Sequence, residues 1–211
     1  MIITNQEVEI KIKINENKIE KVVKVLEKLK VKIINEKGGI RYIAVHNDNI
    51  ASQYLCDILN KAGYKIKIYN KKTDLIIAKN YDYFIIDPSI HVLPKGIVED
   101  IAIITNSKGI SQIRNDKGIV ITNCTGKDLQ EIKKRTKQKD IRLKTLDEKF
   151  FIKVKHLQRG RIIFDYIGES FYLNLEIKSK KAHDAIDAGL AIAAAEELGV
   201  EEEMIRNGLK G

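Results

Sequence analysis

The sequence predicts an α/β fold: a mostly parallel sheet flanked by helices, with an antiparallel extension and a small N-terminal β-α-β unit. From residue 40 onward, short continuous apolar runs alternate with segments of helical period. That pattern is typical of parallel strands covered on both faces. From Phe150 to Ile177 the period changes to two residues, with Gly160 and Gly168 at the expected turns. This change indicates antiparallel hairpins.

The N-terminal unit is predicted from the opening residues. Alternate positions from Val8 to Ile14 are apolar, as in a strand with one buried face. Apolar residues then recur at helical spacing from Ile19 to Leu29, and a second short strand, Val31–Ile34, precedes a pair of glycines. We therefore expect a small β-α-β appendage over 1–39 and a larger domain over 40–211.

The larger domain is predicted to alternate strands and helices. The expected strands are Ile40–Val45, Lys65–Tyr69, Leu75–Ala78, Tyr83–Ile86, Ile101–Ile104 and Ile119–Ile121. The expected helices are Ile50–Ala62 with Gly63 as its cap, an alanine-rich helix from about His183 to Leu198 with Gly199 as its stop, and a short helix over Glu201–Leu209.

Composition narrows the class of protein. With 211 residues and 44% hydrophobic residues, the chain can bury a core. Two cysteines, Cys56 and Cys124, cannot form a disulfide framework, so a reduced cytoplasmic protein is expected. No apolar run approaches the ~18 residues of a membrane span, and the N-terminus does not resemble a signal peptide. The net charge of +9 favours an anionic partner, or reflects a lysine-rich composition.

The loop after the first strand of the larger domain is the expected position of a phosphate-binding loop. Its candidate nucleotide-binding residues are His46, Asn47, Asp48, Asn49 and Ile50. Phosphate binding there needs glycines, so that backbone N–H groups can approach, and a lysine. The loop contains neither, and a carboxylate would repel phosphate. A helix N-terminus capped by Asn or Asp is the favoured interpretation.

Other candidate sites are weaker. Asp87 follows a strand and precedes Pro88, which suits either a metal-binding carboxylate or an ordinary turn. The histidines are scattered without ligand spacing, so surface or capping roles are expected for most of them. A basic cluster suits a solvated helix face or a phosphate or nucleic-acid patch. No aromatic residues lie within it to stack bases, so a solvated helix face is favoured and nucleic acid is not the expected partner. The cluster comprises Lys133, Lys134, Arg135, Lys137 and Lys139.

The closing segment carries a family resemblance. His183–Ala195, followed by Leu198–Val200 and Ile205–Leu209, resembles the end of the Mur ligase central domain, with its His-Asn, later Asn, alanine-rich helix and Leu-Gly-Val. Ile103–Asn106 resembles the strand of that family ending in Ile-Thr-Asn, and Gly118–Asn123 resembles its later strand ending in Asn. The resemblance covers about residues 40–211 and implies a P-loop-like, Mur ligase central-domain fold.

The resemblance also implies a site. The family ligates an amino acid to a carboxylate with ATP and Mg²⁺, and its nucleotide-side positions correspond to Asn106, His183, Asp184 and Asp187. Here the adenine-side Asn pair is replaced by aspartates, and Asp87 stands where the metal-binding Glu would be. The segment after Asn106 has no metal-binding His, and the one expected to carry a modified Lys is nearly absent.

These departures favour a non-catalytic Mur-ligase-like protein, without a cofactor, that acts as a binding or partner subunit near cell-wall or cofactor peptide ligation. The expected partner is a second copy or a Mur-type ligase, at the face near Asp87, Asn106 and His183. One alternative is an ATP-dependent ligase using ATP and Mg²⁺, or half of one completed by another chain. The other is a basic nucleic-acid-binding protein.

Overall fold

In the computed structural model, the described residues are 41–46, 49–69, 81–86, 99–106, 109, 118–146, 152–158 and 160–210. The predicted strand Leu75–Ala78 and the predicted unit over 1–39 lie outside them and stay predictions. All described residues belong to one compact unit.

Six parallel strands form the main sheet, in the order β2-β3-β1-β4-β5-β6. Its strands are β1 (Arg41–His46), β2 (Ile66–Tyr69), β3 (Tyr83–Ile86), β4 (Ile101–Ile104), β5 (Ile119–Thr122) and β6 (Arg142–Thr145). A separate antiparallel sheet contains β7 (Ile152–Gln158), β8 (Arg161–Ile167) and β9 (Tyr172–Lys178). The predicted fold class is confirmed.

Helices cover both faces of the parallel sheet. The described helices are α1 (Asn49–Lys61), α2 (Gly126–Gln138), α3 (Asp184–Glu197) and α4 (Glu202–Leu209). Alternate residues of β4 separate the two faces: Ile101 and Ile103 join the core under α1 and α3, whereas Ala102 and Ile104 join a smaller core that includes Ile132 of α2. This division follows from the two-residue period of a strand.

Helix α3 lies at the centre of the larger core. It packs against α1, against β4 and β5 of the parallel sheet, and against β7 and β8 of the antiparallel sheet. Every residue from Ala185 to Ala195 is buried. Small side chains allow this close approach: a Cβ at Gly189 would clash with the Ile152 side chain of β7. The alanine-rich sequence is therefore what permits one helix to pack against two sheets and another helix.

Predicted boundaries are close to the observed ones, with three differences. Helix α2 was not predicted as an element, although its basic cluster was considered as a helix face. His46 was expected in a polar loop, but it is the last residue of β1 and its backbone pairs in register with Ile104. Strand β6 was not predicted, because Arg-Leu-Lys-Thr contains a single apolar residue. The turns at Gly63, Gly160 and Gly199 all have positive φ, as the sequence suggested.

Candidate functional site

The carboxyl edge of the parallel sheet, where β1, β3 and β4 end side by side, is the candidate site. The chain leaves β1 for α1 and β2 on one side, whereas β4 lies on the other side of β1. Ligands of open α/β sheets bind at such a reversal of strand order. Of the predicted residues, His46 ends β1 here and Asn106 lies just beyond β4.

His46 is buried rather than presented to a ligand. It is 5% exposed, and Thr105 donates a hydrogen bond from Oγ1 to its carbonyl oxygen at 3.3 Å. Gly109 lies against it: a Cβ at position 109 would be 2.9 Å from the Cβ of His46 and 3.1 Å from Cγ2 of Ile104. Gly109 N–H donates to the carbonyl oxygen of Asn106 at 3.1 Å. Thr105 and Gly109 therefore lie against the end of β1.

Thr122, which the sequence analysis did not single out, fixes the neighbouring end of β5. Its hydroxyl donates to the carbonyl oxygen of Ile104 at 2.6 Å and accepts from the N–H of Cys124 at 3.0 Å. The Cys124 thiol is also buried here, and burial raises its pKa. These contacts hold the ends of β4 and β5 together and give this edge a defined backbone.

A second group of predicted residues lies at the start of α3. Asp187 is 2% exposed. The side chain of His183 is 65% exposed, and its Nε2 lies 3.4 Å from Oδ1 of Asp187. Ser179 donates its hydroxyl to Asp184 Oδ2 and accepts from the N–H of Lys181 at 3.0 Å. Two carboxylates are therefore held in the first turn of α3, where the helix dipole favours negative charge.

The pKa of Tyr54 in α1 depends on the charge of this group. Burial, together with the negative charges of Asp184, Asp187 and Asp57, raises the pKa of its phenol to about 12. Tyr54 could not be singled out from the sequence, because it lies within an ordinary amphipathic helix and Asp184 and Asp187 come from the far end of the chain. We name Tyr54, His183, Asp184 and Asp187 the acidic cluster.

The remaining candidates divide into described and undescribed residues. Ile50, 38% exposed, is the second residue of α1 and follows Asn49, the first. Asn47, Asp48 and the metal candidate Asp87 lie outside the described residues and stay predictions. Among the residues that the structure describes, no group of three His, Cys, Asp or Glu side chains could hold a metal ion. No helix in the described ranges is long and apolar enough to span a membrane.

Among the described candidates, His46 and Asp187 are buried, and Asp184 and Asp187 carry the negative charge at the start of α3. The side chain at the end of β1 is buried under Gly109, and the acidic cluster places two carboxylates beside a half-buried phenol. A triphosphate needs backbone donors and cations instead. The chemistry of this cluster suits a cation or a hydrogen-bond donor.

Comparison with solved structures shows a shared fold at low sequence identity. Folylpolyglutamate synthase from Thermotoga maritima matches with a TM-score of 0.72 and 18% identity over 92% of this chain and 62% of that chain. MurF from Acinetobacter baumannii matches with a TM-score of 0.67 and 16% identity over 83% and 46%. An FPGS–AMPPCP complex matches with a TM-score of 0.65 and 12% identity over 93% and 68%.

Neither protein-family models nor curated proteins match this sequence. The chain spans less than two thirds of the Thermotoga synthase and under half of MurF. These matches over most of the chain support the Mur ligase central-domain fold predicted from the closing segment. The chain therefore shares its fold with folylpolyglutamate synthase and MurF.

Proposed function

We propose that this chain is a Mur-ligase-like protein that does not transfer phosphate and acts as a binding or partner subunit beside peptide or amide ligation. The acidic cluster carries the proposal, because it places two carboxylates and a phenol of raised pKa in the region that the resemblance assigns to nucleotide. The fold is kept, while this charge opposes the ATP chemistry of a ligase.

The charges of the candidate site oppose phosphate transfer. The γ-phosphate of ATP is transferred only when cations and backbone donors neutralise the charge that develops on it. The loop from His46 to Asn49 contains neither lysine nor glycine. Asp184 and Asp187 at the start of α3 add negative charge on the adenine side, where the resemblance implies a pair of Asn residues.

Packing at the end of β1 also opposes phosphate binding. In a phosphate loop, the backbone beyond the first strand must open around the phosphates. Here Gly109 and Thr105 contact His46 at the end of β1, so these two residues occupy space next to that position. We infer a closed edge suited to holding a partner surface or a small cationic group.

One alternative is an ATP-dependent amide ligase, or half of one completed by another chain. The observation that favours it is the fold shared with an FPGS–AMPPCP complex. In this alternative, a second chain would supply the cations that the described edge does not.

Calorimetry distinguishes the two proposals. Titrating the full chain with Mg-ATP should give no saturable heat up to millimolar nucleotide, and phosphate release should equal that of buffer. Micromolar binding that Asn49→Ala weakens would overturn the non-catalytic proposal in favour of the ligase. Asn60→Ala, at the exposed opposite end of α1, is the matched control.

A further inference from the structure

Helix α2 presents a surface that the candidate site does not use. It covers the smaller core on the face of the parallel sheet away from α3, and within it only Ile132 and Thr136 are buried. The side facing away from them carries four exposed lysines, Lys127, Lys133, Lys134 and Lys137. At 3.6 residues per turn these four fall within an arc of about 120°. We call them the lysine stripe.

The charge of the lysine stripe is not balanced within the described structure. Its lysines form no ion pair with another described residue. Between Lys127 and Lys139 there are six Lys or Arg residues and two carboxylates, Asp128 and Glu131, a surplus of four within a chain of net charge +9. Helical geometry places both carboxylates on the flank that carries Arg135. The lysines thus form a cationic strip that Glu131 borders on one side, beside Lys127 and Lys134.

The composition of this surface favours one kind of partner. The exposed positions of α2 are lysine, glutamine, glutamate and the first residue, Gly126, with no apolar side chain among them. Protein interfaces draw their affinity from buried apolar and aromatic anchors. A phosphodiester backbone needs cations alone, and the absence of aromatic residues on α2 leaves nothing to stack on unpaired bases.

The length of the stripe suits a duplex. From Lys127 to Lys137 the helix rises about 15 Å, a distance over which a duplex presents about nine phosphates. Long lysine side chains can therefore each reach a phosphate. We propose that the lysine stripe binds the phosphodiester backbone of duplex nucleic acid without sequence preference. This inference is independent of the proposed function, since it uses the opposite face of the sheet.

Fluorescence anisotropy with a labelled mixed-sequence DNA duplex, titrated at several salt concentrations, tests the proposal. Four phosphate contacts predict a slope of log affinity against log salt of about −3.6, which should fall to about −0.9 in the variant Lys133→Gln, Lys134→Gln, Lys137→Gln. At ~100 mM salt we expect at least a tenfold loss of affinity in that variant.

A variant with the same charge change elsewhere is the control: Lys61→Gln, Lys65→Gln, Lys153→Gln, all at exposed positions. It should bind within about twofold of the parent chain, because long-range charge is screened beyond ~10 Å. Absence of binding at ~50 mM salt would overturn the proposal, as would equal losses in both variants. Displacement by polyglutamate at equal charge concentration would assign the stripe to an acidic protein instead. Circular dichroism checks that each variant is folded.

Discussion

At the scale of residues, carboxylates change the ionisation of side chains that are distant in sequence. Tyr54 lies in α1, whereas the aspartates that act on it belong to the first turn of α3. Because Asp184 and Asp187 raise the pKa of Tyr54, the ionisation of this one phenol depends on the charge of the acidic cluster. The property can be measured without knowing the ligand.

The first prediction concerns that phenol, whose raised pKa keeps Tyr54 protonated to about pH 12. In Asp184→Asn, Asp187→Asn their repulsion of the phenolate disappears, so the pKa should fall part of the way towards its ordinary value near 10, because burial, the largest cause, and Asp57 still raise it. Phenolate absorbance at 295 nm measures the change, with Tyr54→Phe identifying the signal among the eight tyrosines. Asp140→Asn, at the end of α2, should leave the titration unchanged; an equal shift there would contradict the geometry.

A buried ion pair at the edge of the parallel sheet is the second feature at this scale. Lys144 Nζ of β6 lies 2.7 Å from Glu196 Oε2 and 3.3 Å from Glu197 Oε1, and its side chain is 5% exposed. Burial alone would raise the pKa of Glu196, but hydrogen bonds from Lys144 and from the Ser170 N–H lower it. The Tyr166 hydroxyl also donates to Glu196, at 3.1 Å, which joins the antiparallel sheet to the pair.

Removing the cation should leave the buried carboxylate of Glu196 without a cationic partner, whereas Glu197 keeps its ion pair with Arg142. Lys144→Met should therefore lower the free energy of unfolding by about 3 kcal/mol at pH 7, measured by urea denaturation. Since the pKa of Glu196 is lowered on folding, its contribution is present above its unfolded pKa and is lost as pH falls through the folded value. The loss caused by Lys144→Met should thus shrink in acid. Lys153→Met, at an exposed position, is the control and should change stability little.

At the scale of elements, helix α3 shows what small residues allow. Ala188, Ala191 and Ala195 are completely buried, and α3 packs against α1 and against strands of both sheets. A helix surrounded on all sides cannot accept larger side chains by turning them towards solvent. Its packing should therefore be sensitive to volume at every turn.

The third prediction follows from this packing. Ala191→Leu should overpack the core and lower the free energy of unfolding by about 1–3 kcal/mol, seen as a lower denaturation midpoint. Ala182→Leu, at an exposed position just before α3, adds the same atoms without crowding the core. An unchanged midpoint for Ala191→Leu, or an equal loss for Ala182→Leu, would contradict the buried placement of this face.

Elements were predictable from the sequence where their own residues determine burial. The continuous Ile-Ala-Ile-Ile run of β4 and the alanine-rich α3 need no partner to be recognised. Strand β6 was missed because Lys144 is buried through Glu196 and Glu197, which lie far away in sequence. The acidic cluster was found only in part for the same reason: the motif located His183, Asp184 and Asp187, but only tertiary packing adds Tyr54.

At the scale of the whole molecule, the surface around the start of α1 suggests contact with another chain. Ile50 is among the exposed large apolar residues and lies next to the carboxyl edge of the parallel sheet. Asn106 is at the same edge, beyond β4. Single exposed apolar residues are common on protein surfaces, so this position becomes informative only through an effect on assembly.

We predict that the chain self-associates through this face, so that light scattering after size exclusion at ~100 µM gives a mass above the 24.1 kDa of one chain. Ile50→Asp should shift the chain towards the monomer, because a carboxylate buried in the contact without a partner opposes association. Ile68→Asp, on the exposed edge strand β2, adds the same charge at 39% exposure, matching the 38% of Ile50, and should leave the mass unchanged. A monomer for the parent chain at that concentration would contradict self-association, and equal responses of the two variants would place the contact elsewhere.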